Sequence, residues 1–401
     1  MTSSSRGFRA VFVAASVSTV GDGIQLVALP LLGTTLTTSP QAIAGLAAIG
    51  LVPALLFALP VGGLVDLFDR RRLLIAADVV RAALLAALVL AFVSGYLRLW
   101  ELFGIAFALG VCAIVFDTCS VAYLPTVVPK DRLAKANGYL ATVSEFGNGI
   151  IGPALAGTVF ALARTLPFLL NAVSFVGSAL MLATLPKGLP VAARRRTMQI
   201  GEGLRWILGE RSLLALALVM CGWNLFGWMP EATLVLYARQ DLGLSGTAFG
   251  FLFASTSIGA VLGGLLSARI IARLGADRVL YLTTALYALL MIPAAVSHSP
   301  WLVGGAFLLQ GIPLVAWSVV STTIRQTLVP GELLGRVNSV FALLGSGSAP
   351  VAMVLGGVLG HWLGFRPVFL ISVAGILLPL LVAVPGLRRL ASRTELVAQT
   401  A

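Results

Sequence analysis

The chain is 401 residues long, 59% hydrophobic and only 10% charged, with a formal charge of +12 and a mean hydropathy of +1.01. That much apolar surface exceeds what a water-soluble core can bury, and uncharged stretches of about 18 residues or more recur along the chain, which excludes a soluble domain. The basic residues fall in short segments between hydrophobic runs, where they set topology, which argues against nucleic acid as their partner.

In lipid the backbone must satisfy its own polar groups, so each apolar run of about 20 residues is predicted to be a helix. Twelve follow in chain order, at 9–35, 42–65, 73–95, 100–124, 138–162, 166–186, 212–237, 246–270, 278–297, 301–324, 337–360 and 364–386. Arg6 and Arg9 before the first run imitate a signal peptide, but hydrophobicity continues past Gly21-Asp22-Gly23 to Leu36 and makes this a retained helix. Cys112, Cys119 and Cys221 lie inside apolar runs without a CxxC pair and read as small hydrophobes. His298 and His361 fall near helix ends, so neither a metal site nor a cofactor is expected. The fold class is an all-α integral membrane protein.

Of the 27 Lys and Arg residues, only Arg98, Arg164, Arg239 and Arg366 fall in one set of alternate connections; Arg81 lies within a helix and the others occupy the opposite side. The positive-inside rule then places both termini and the 187–211 connection in the cytoplasm. The chain also repeats itself: GGLVD at 62–66 returns as GGLLS at 263–267, and VPKDRLAKAN at 128–137 returns as VPGELLGRVN at 329–338, both after 201 residues. This predicts a six-helix bundle over 1–186, a basic linker over 187–211 and a second bundle over 212–401, related by a pseudo-two-fold axis. Within the linker, GEGLRWIL is expected to form an amphipathic interfacial helix.

Twelve helices, a 6+6 repeat and the segment GGLVDLFDRRRLL at Gly62–Leu74 together resemble the major facilitator superfamily, whose loop motif reads Gly-x-Leu-Ala-Asp-Arg-x-Gly-Arg-Lys-x-x-Leu. Asp69 stands where the family has glycine, and Leu67 where it has arginine. With AADVVR at 76–81, the segment is similar to the bacterial efflux branch that includes macrolide and enterobactin-type siderophore exporters. GNGIIGPALAG at 147–157 is similar to the Gly-Pro motif of the superfamily's antiporters. Gly147, Gly149, Gly152 and Gly157 permit close helix approach there, and Pro153 removes a donor and bends the helix. The resemblance implies two rocking halves and a cavity lined by helices 1, 4, 7 and 10, which carry Asp22, Asp117, Glu231 and the pair Gln310 and Trp317. It also implies that Asp66 faces a helix N-terminus in the other half while Arg70 or Arg71 reaches Asp117 or Asp78 as a conformational latch.

An ionised side chain in mid-membrane costs about 2.5–3.5 kcal/mol, so it is paired or functional. Asp78, Arg81 and Asp117 fall at similar depth and are expected to form a charge cluster with Arg70 or Arg71. Asp22, Glu145 and Glu231 have no basic residue at matching depth and are the expected proton carriers. Asp22 shares a helix face with Ser18 and Gln25, Glu145 with Asn148, and Glu231 with Asn224 and Trp228. Trp223, Trp228 and Trp317 offer flat surface to an amphipathic or cationic substrate.

The chain has no GxxxxGK[ST] phosphate loop and no nucleophile, base and orienter set, so it reads as neither an ATP-driven pump nor an enzyme. The expectation is a monomeric, proton-coupled exporter of small amphipathic compounds in the lipid bilayer of a bacterial cytoplasmic membrane. A dedicated exporter of a siderophore or self-produced metabolite, an importer and a non-transporting membrane sensor are the alternatives.

Overall fold

The computed structural model describes residues 3–128, 136, 140, 142–185 and 200–400, and among these it is helical apart from short connections, without a strand. The first four helices are α1 (Ser3–Leu36), α2 (Pro40–Leu67), α3 (Arg70–Val93) and α4 (Leu99–Val127). A π-helix, Glu145–Ile151, then runs into α5 (Gly152–Leu162), followed by α6 (Leu166–Ala183) and the short α7 (Ile200–Gly209). Next come α8 (Arg211–Glu231), a single turn at Leu234–Leu236 and a second π-helix, Tyr237–Asp241. The chain finishes with α9 (Gly246–Leu274), α10 (Ala276–Leu289), α11 (Ile292–Val296), α12 (Pro300–Leu328), α13 (Gly331–Gly345), α14 (Ala349–Leu363) and α15 (Phe365–Thr400).

Among the described residues, eleven spans are long and apolar enough to cross a membrane. The other predicted run, 138–162, includes residues outside the described set and continues as the first π-helix and α5. Three predicted helices are interrupted, each beside a proline. The run 212–237 stops at Glu231, next to Pro230; 278–297 breaks before Pro293; and 337–360 passes through a 3₁₀ turn at Ser346–Ser348 before Pro350. Proline lacks the N–H that continues a helix but fits the first turn of a new one, where Pro293 and Pro350 sit. The internal repeat is visible in element bounds, since α4 and α12 both have 29 residues and start 201 residues apart.

The chain forms two compact units. Unit 1 comprises Met1–Thr38, Leu46–Arg195 and Gly243–Ala254. In it α6 packs along α1 and α3, and α4 packs on α3. Its core gathers Leu74 and Ala77 of α3 with Phe116, Cys119, Tyr123 and Leu124 of α4. The start of α9 belongs to this unit because Gly157 and Gly250 have no side chains: a Cβ on Gly157 would strike the backbone of Gly246 and Thr247, and one on Gly250 the carbonyl of Pro153.

Unit 2 comprises Ser39–Gly45, Arg196–Leu242 and Ser255–Ala401. Here α15 and α14 pack on α8, and α10 on α12. Helix α7 docks on α13 with Gly203 against the backbone of Arg336 and Ile207 buried in the core, while Glu202 pairs with Arg336. Leu204, Trp206 and Leu208 remain exposed, the amphipathic pattern expected of GEGLRWIL. At one end of the unit, Arg366 ties three segments together by donating to Asp241 at 3.1 Å and to the Ser297 carbonyl at 2.9 Å, with His298 Nδ1 also 2.9 Å away.

The basic turn after α2 departs from expectation. Asp69 adopts extended φ, ψ of −63° and 111° and N-caps α3, accepting from the backbone N–H of Arg71 at 2.9 Å and of Arg72 at 3.4 Å. The glycine of the family motif supplies flexibility, and Asp replaces it here by satisfying two helix-start donors. Arg71 reaches neither Asp117 nor Asp78; it donates to the carbonyls of Leu182 (3.2 Å) and Ala183, which close α6. Carbonyls at a helix C-terminus carry partial negative charge, so a cation is favourable there. Arg70 is buried. The side chain of Asp66 and linker residues 186–199 lie outside the described residues. We expect Asp69→Ala to lower stability by about 1 kcal/mol and Asp69→Gly by only a few tenths, measured as thermal unfolding in nanodiscs; equal losses for the two would remove the cap as the reason for Asp69.

Candidate functional site

The site in unit 1 begins with the glycines on either side of Asp22. A Cβ on Gly21 would meet the side chains of Asn171 and Ser174 on α6, and one on Gly23 would meet the backbone of Gly147 and Asn148 in the π-helix. Gly147 and Gly152 meet α1 in the same way, at Thr19 and Gly23. Helix α1 is therefore held backbone to backbone at the level of its one carboxylate. Gly149 is half-buried in the π-helix, and Pro153 occupies the first turn of α5.

Asp22 has a cationic partner, contrary to expectation. Its Oδ2 lies 3.9 Å from Nη1 of Arg81, which lies in turn 3.7 Å from Oδ1 of Asp78 one turn earlier on α3. Arg81 is 2% exposed and Asp78 0%, whereas the Asp22 side chain is 34% exposed. The rings of Phe116 on α4 and Phe175 on α6 approach the guanidinium at 5.1 and 5.0 Å, a cation–π clamp. Depth counted along separate helices missed this pairing because α6 brings α1 and α3 together sideways. Asp117 follows Phe116 but is exposed, with no cation within ion-pair distance among the described residues.

The remaining unit 1 predictions resolve into local contacts. Gln25 accepts from Asn171 Nδ2 at 3.2 Å. Glu145 is exposed at the start of the π-helix, and its expected neighbour Asn148 donates instead to Ser144 at 3.2 Å. Asn171 and Ser178 were missed. With Ser174 they form a polar i, i+3, i+7 stripe on the otherwise apolar α6, the signal that would have found them.

Unit 2 holds aromatic rings at the corresponding place. Trp223 stacks on Tyr287 at 4.2 Å and lies 5.2 Å from Trp317. Trp317 is buried in the core cluster, and Gln310, also buried, donates to the Tyr287 carbonyl at 3.1 Å. Both were expected to line a cavity, and both instead build the interior of this unit. Trp228 is exposed, Asn224 donates to the carbonyl of Met220 at 3.0 Å in its own helix, and Glu231 is half-buried at the end of α8. No cation lies within ion-pair distance of Glu231 among the described residues.

A family model described as "Transmembrane secretion effector" matches residues 3–396. The chain belongs to this family of major facilitator transporters. It is 25% identical over 391 residues to macrolide efflux protein A of Streptococcus pyogenes, covering 91% of this chain and 92% of that protein. It is 30% identical over 370 residues to the enterobactin exporter EntS of Escherichia coli O1:K1 / APEC, covering 88% and 85%. In fold it matches a variant of the nucleoside transporter NupG with a TM-score of 0.77 at 11% identity, over 94% of this chain and 99% of that one. A bacterial homologue of ferroportin in an inward-facing state matches with a TM-score of 0.73 at 20% identity, over 96% and 98%. The protein is a multi-pass membrane transporter with efflux homologues, and not an enzyme.

The tight crossing at Asp22 gives a direct expectation. Gly23→Ala and Gly152→Ala each lower the stability of unit 1 by about 1–3 kcal/mol through overpacking. Gly177→Ala, whose added methyl meets nothing within 4 Å, is neutral or stabilising by up to about 1 kcal/mol. Equal melting temperatures for the three variants would contradict the contact between α1 and the π-helix.

Proposed function

We propose that this transporter exports small amphipathic compounds from the bacterial cytoplasm in exchange for protons, by alternating access. One observation carries the coupling: two carboxylates, Asp22 and Asp78, face one buried cation, Arg81. They leave one negative charge that a proton can cancel, inside a medium where uncompensated charge is costly. The reading of export rather than uptake is supported by relatives whose names describe efflux of macrolides and export of enterobactin. The positive-inside rule supports both termini in the cytoplasm of the inner membrane.

In unit 2 the face of α8 bearing Asn224, Trp228 and Glu231 supplies a half-buried carboxylate beside an exposed indole. That pairing suits an amphipathic or cationic substrate. Glu231 and Glu145 remain the second and third proton candidates. The energy suffices: a proton entering down about 100 mV supplies roughly 2.3 kcal/mol and each pH unit about 1.4, together enough for a substrate gradient of several hundredfold. A second reading, a dedicated siderophore-type exporter, is favoured by the 30% identity to the enterobactin exporter.

Everted vesicles test both readings. Adding substrate to vesicles with an acidic interior should collapse the pH gradient, and Asp22→Asn should slow that response by about a hundredfold. A response to enterobactin but to none of a panel of macrolides and cationic amphiphiles selects the dedicated exporter. Undiminished responses in Asp22→Asn, Glu145→Gln and Glu231→Gln alike refute proton exchange through these groups.

A further inference from the structure

Buried polar atoms of unit 1 without a geometric hydrogen-bond partner among the described residues include Ser18 Oγ on α1, both carboxylate oxygens of Asp78 and Nη1 of Arg81 on α3, and Ser178 Oγ on α6. Each such atom costs about 1–3 kcal/mol if left unmatched, and more when charged. The Ser178 hydroxyl faces the Asp78 carboxylate. Ser18 lies one turn before Asp22 on the same face of α1.

The geometry around Arg81 says what belongs there. Phe116 and Phe175 flank the guanidinium. The separations of 3.7 Å to Asp78 and 3.9 Å to Asp22 are ion-pair contacts longer than hydrogen bonds. Asp78 is fully enclosed while Asp22 is a third exposed, so the two carboxylates differ in access rather than in chemistry.

We infer that Asp78 holds the exchanged proton and that Asp22 is the port through which it enters and leaves, with water bound among Ser18, Arg81 and Ser178 linking the two. The assignment rests on the proton-exchange reading above. In the release step the Asp78 O–H bond breaks and its proton passes to a bridging water, which gives one of its own protons to the Asp22 carboxylate. One proton moves, the water is regenerated, and Asp78 is left as a carboxylate balanced by Arg81. When the outer end of the relay loses its proton from Asp22, the cluster returns to one surplus negative charge. The other titratable groups facing Arg81 are Asp117 and Cys112 of α4.

Infrared difference spectroscopy on the full chain in nanodiscs tests this. At neutral pH the wild type should show a protonated carboxyl C=O band that is absent in Asp78→Asn and retained in Asp117→Asn; Asp22→Asn, which removes the surplus negative charge, should lose it as well. Ser178→Ala should keep the band and shift its frequency, because the hydroxyl shares the pocket with that carboxyl. Survival of the band in Asp78→Asn overturns the assignment. If Asp78→Asn does not fold, an unshifted band in Ser178→Ala overturns it equally. A band assigned to Asp78 without any substrate-driven proton movement in vesicles would defeat the exchange reading and leave Asp78 as a buried acid.

Discussion

A guanidinium enclosed in the membrane-spanning part of a protein has to be compensated by what surrounds it, and Arg81 imposes that requirement on unit 1. Removing one partner of a buried ion pair costs about 3–5 kcal/mol, comparable to much of a domain's net stability. The local architecture meets the requirement from three sides: α3 supplies Asp78, α1 supplies Asp22, and α4 and α6 supply the flanking rings. The glycines around Asp22 follow from the same need, since α1 has to approach both α6 and the π-helix to bring its carboxylate to the cation. Packing, charge balance and access therefore converge on one short stretch of α1.

The internal repeat shows how specific this arrangement is to one half. Displaced by 201 residues, Asp22 becomes Trp223, Asp78 becomes Val279, Arg81 becomes Leu282 and Phe116 becomes Trp317. Where unit 1 gathers charges, unit 2 stacks Trp223 between Tyr287 and Trp317. The repeated helix pattern carries different chemistry in its two copies. Unit 1 sets two carboxylates around a buried guanidinium, while unit 2 fills the corresponding positions with aromatic rings.

Much of the fold was legible because lipid permits so few alternatives. Apolar runs of sufficient length become helices, and the repeat at 201 residues survives in the bounds of α4 and α12. Less legible was whatever depends on lateral contact or on backbone detail. Asp78 and Arg81, three residues apart on one helix, declared their pairing in the sequence; Asp22, on another helix, did not. Asp69 looked like a defect in a glycine position and turned out to cap α3, which hydrogen-bond geometry alone reveals. Arg71 went to the carbonyls ending α6, a target carrying no side-chain signature. Gln310 and Trp317 were assigned by helix number to a cavity, but a helix has two faces and theirs points into the core. The π-helix at Glu145–Ile151 likewise escapes any pattern built on a 3.6-residue period.

The central claim is that a single proton resides in the Asp22–Arg81–Asp78 cluster and leaves when substrate binds. It is tested most directly by adding substrate to purified transporter in weakly buffered detergent solution and following a pH indicator. The account predicts release of about one proton per chain, the count that balances two carboxylates against one guanidinium, and its disappearance in Asp78→Asn. Saturating substrate binding with no change in pH would contradict it.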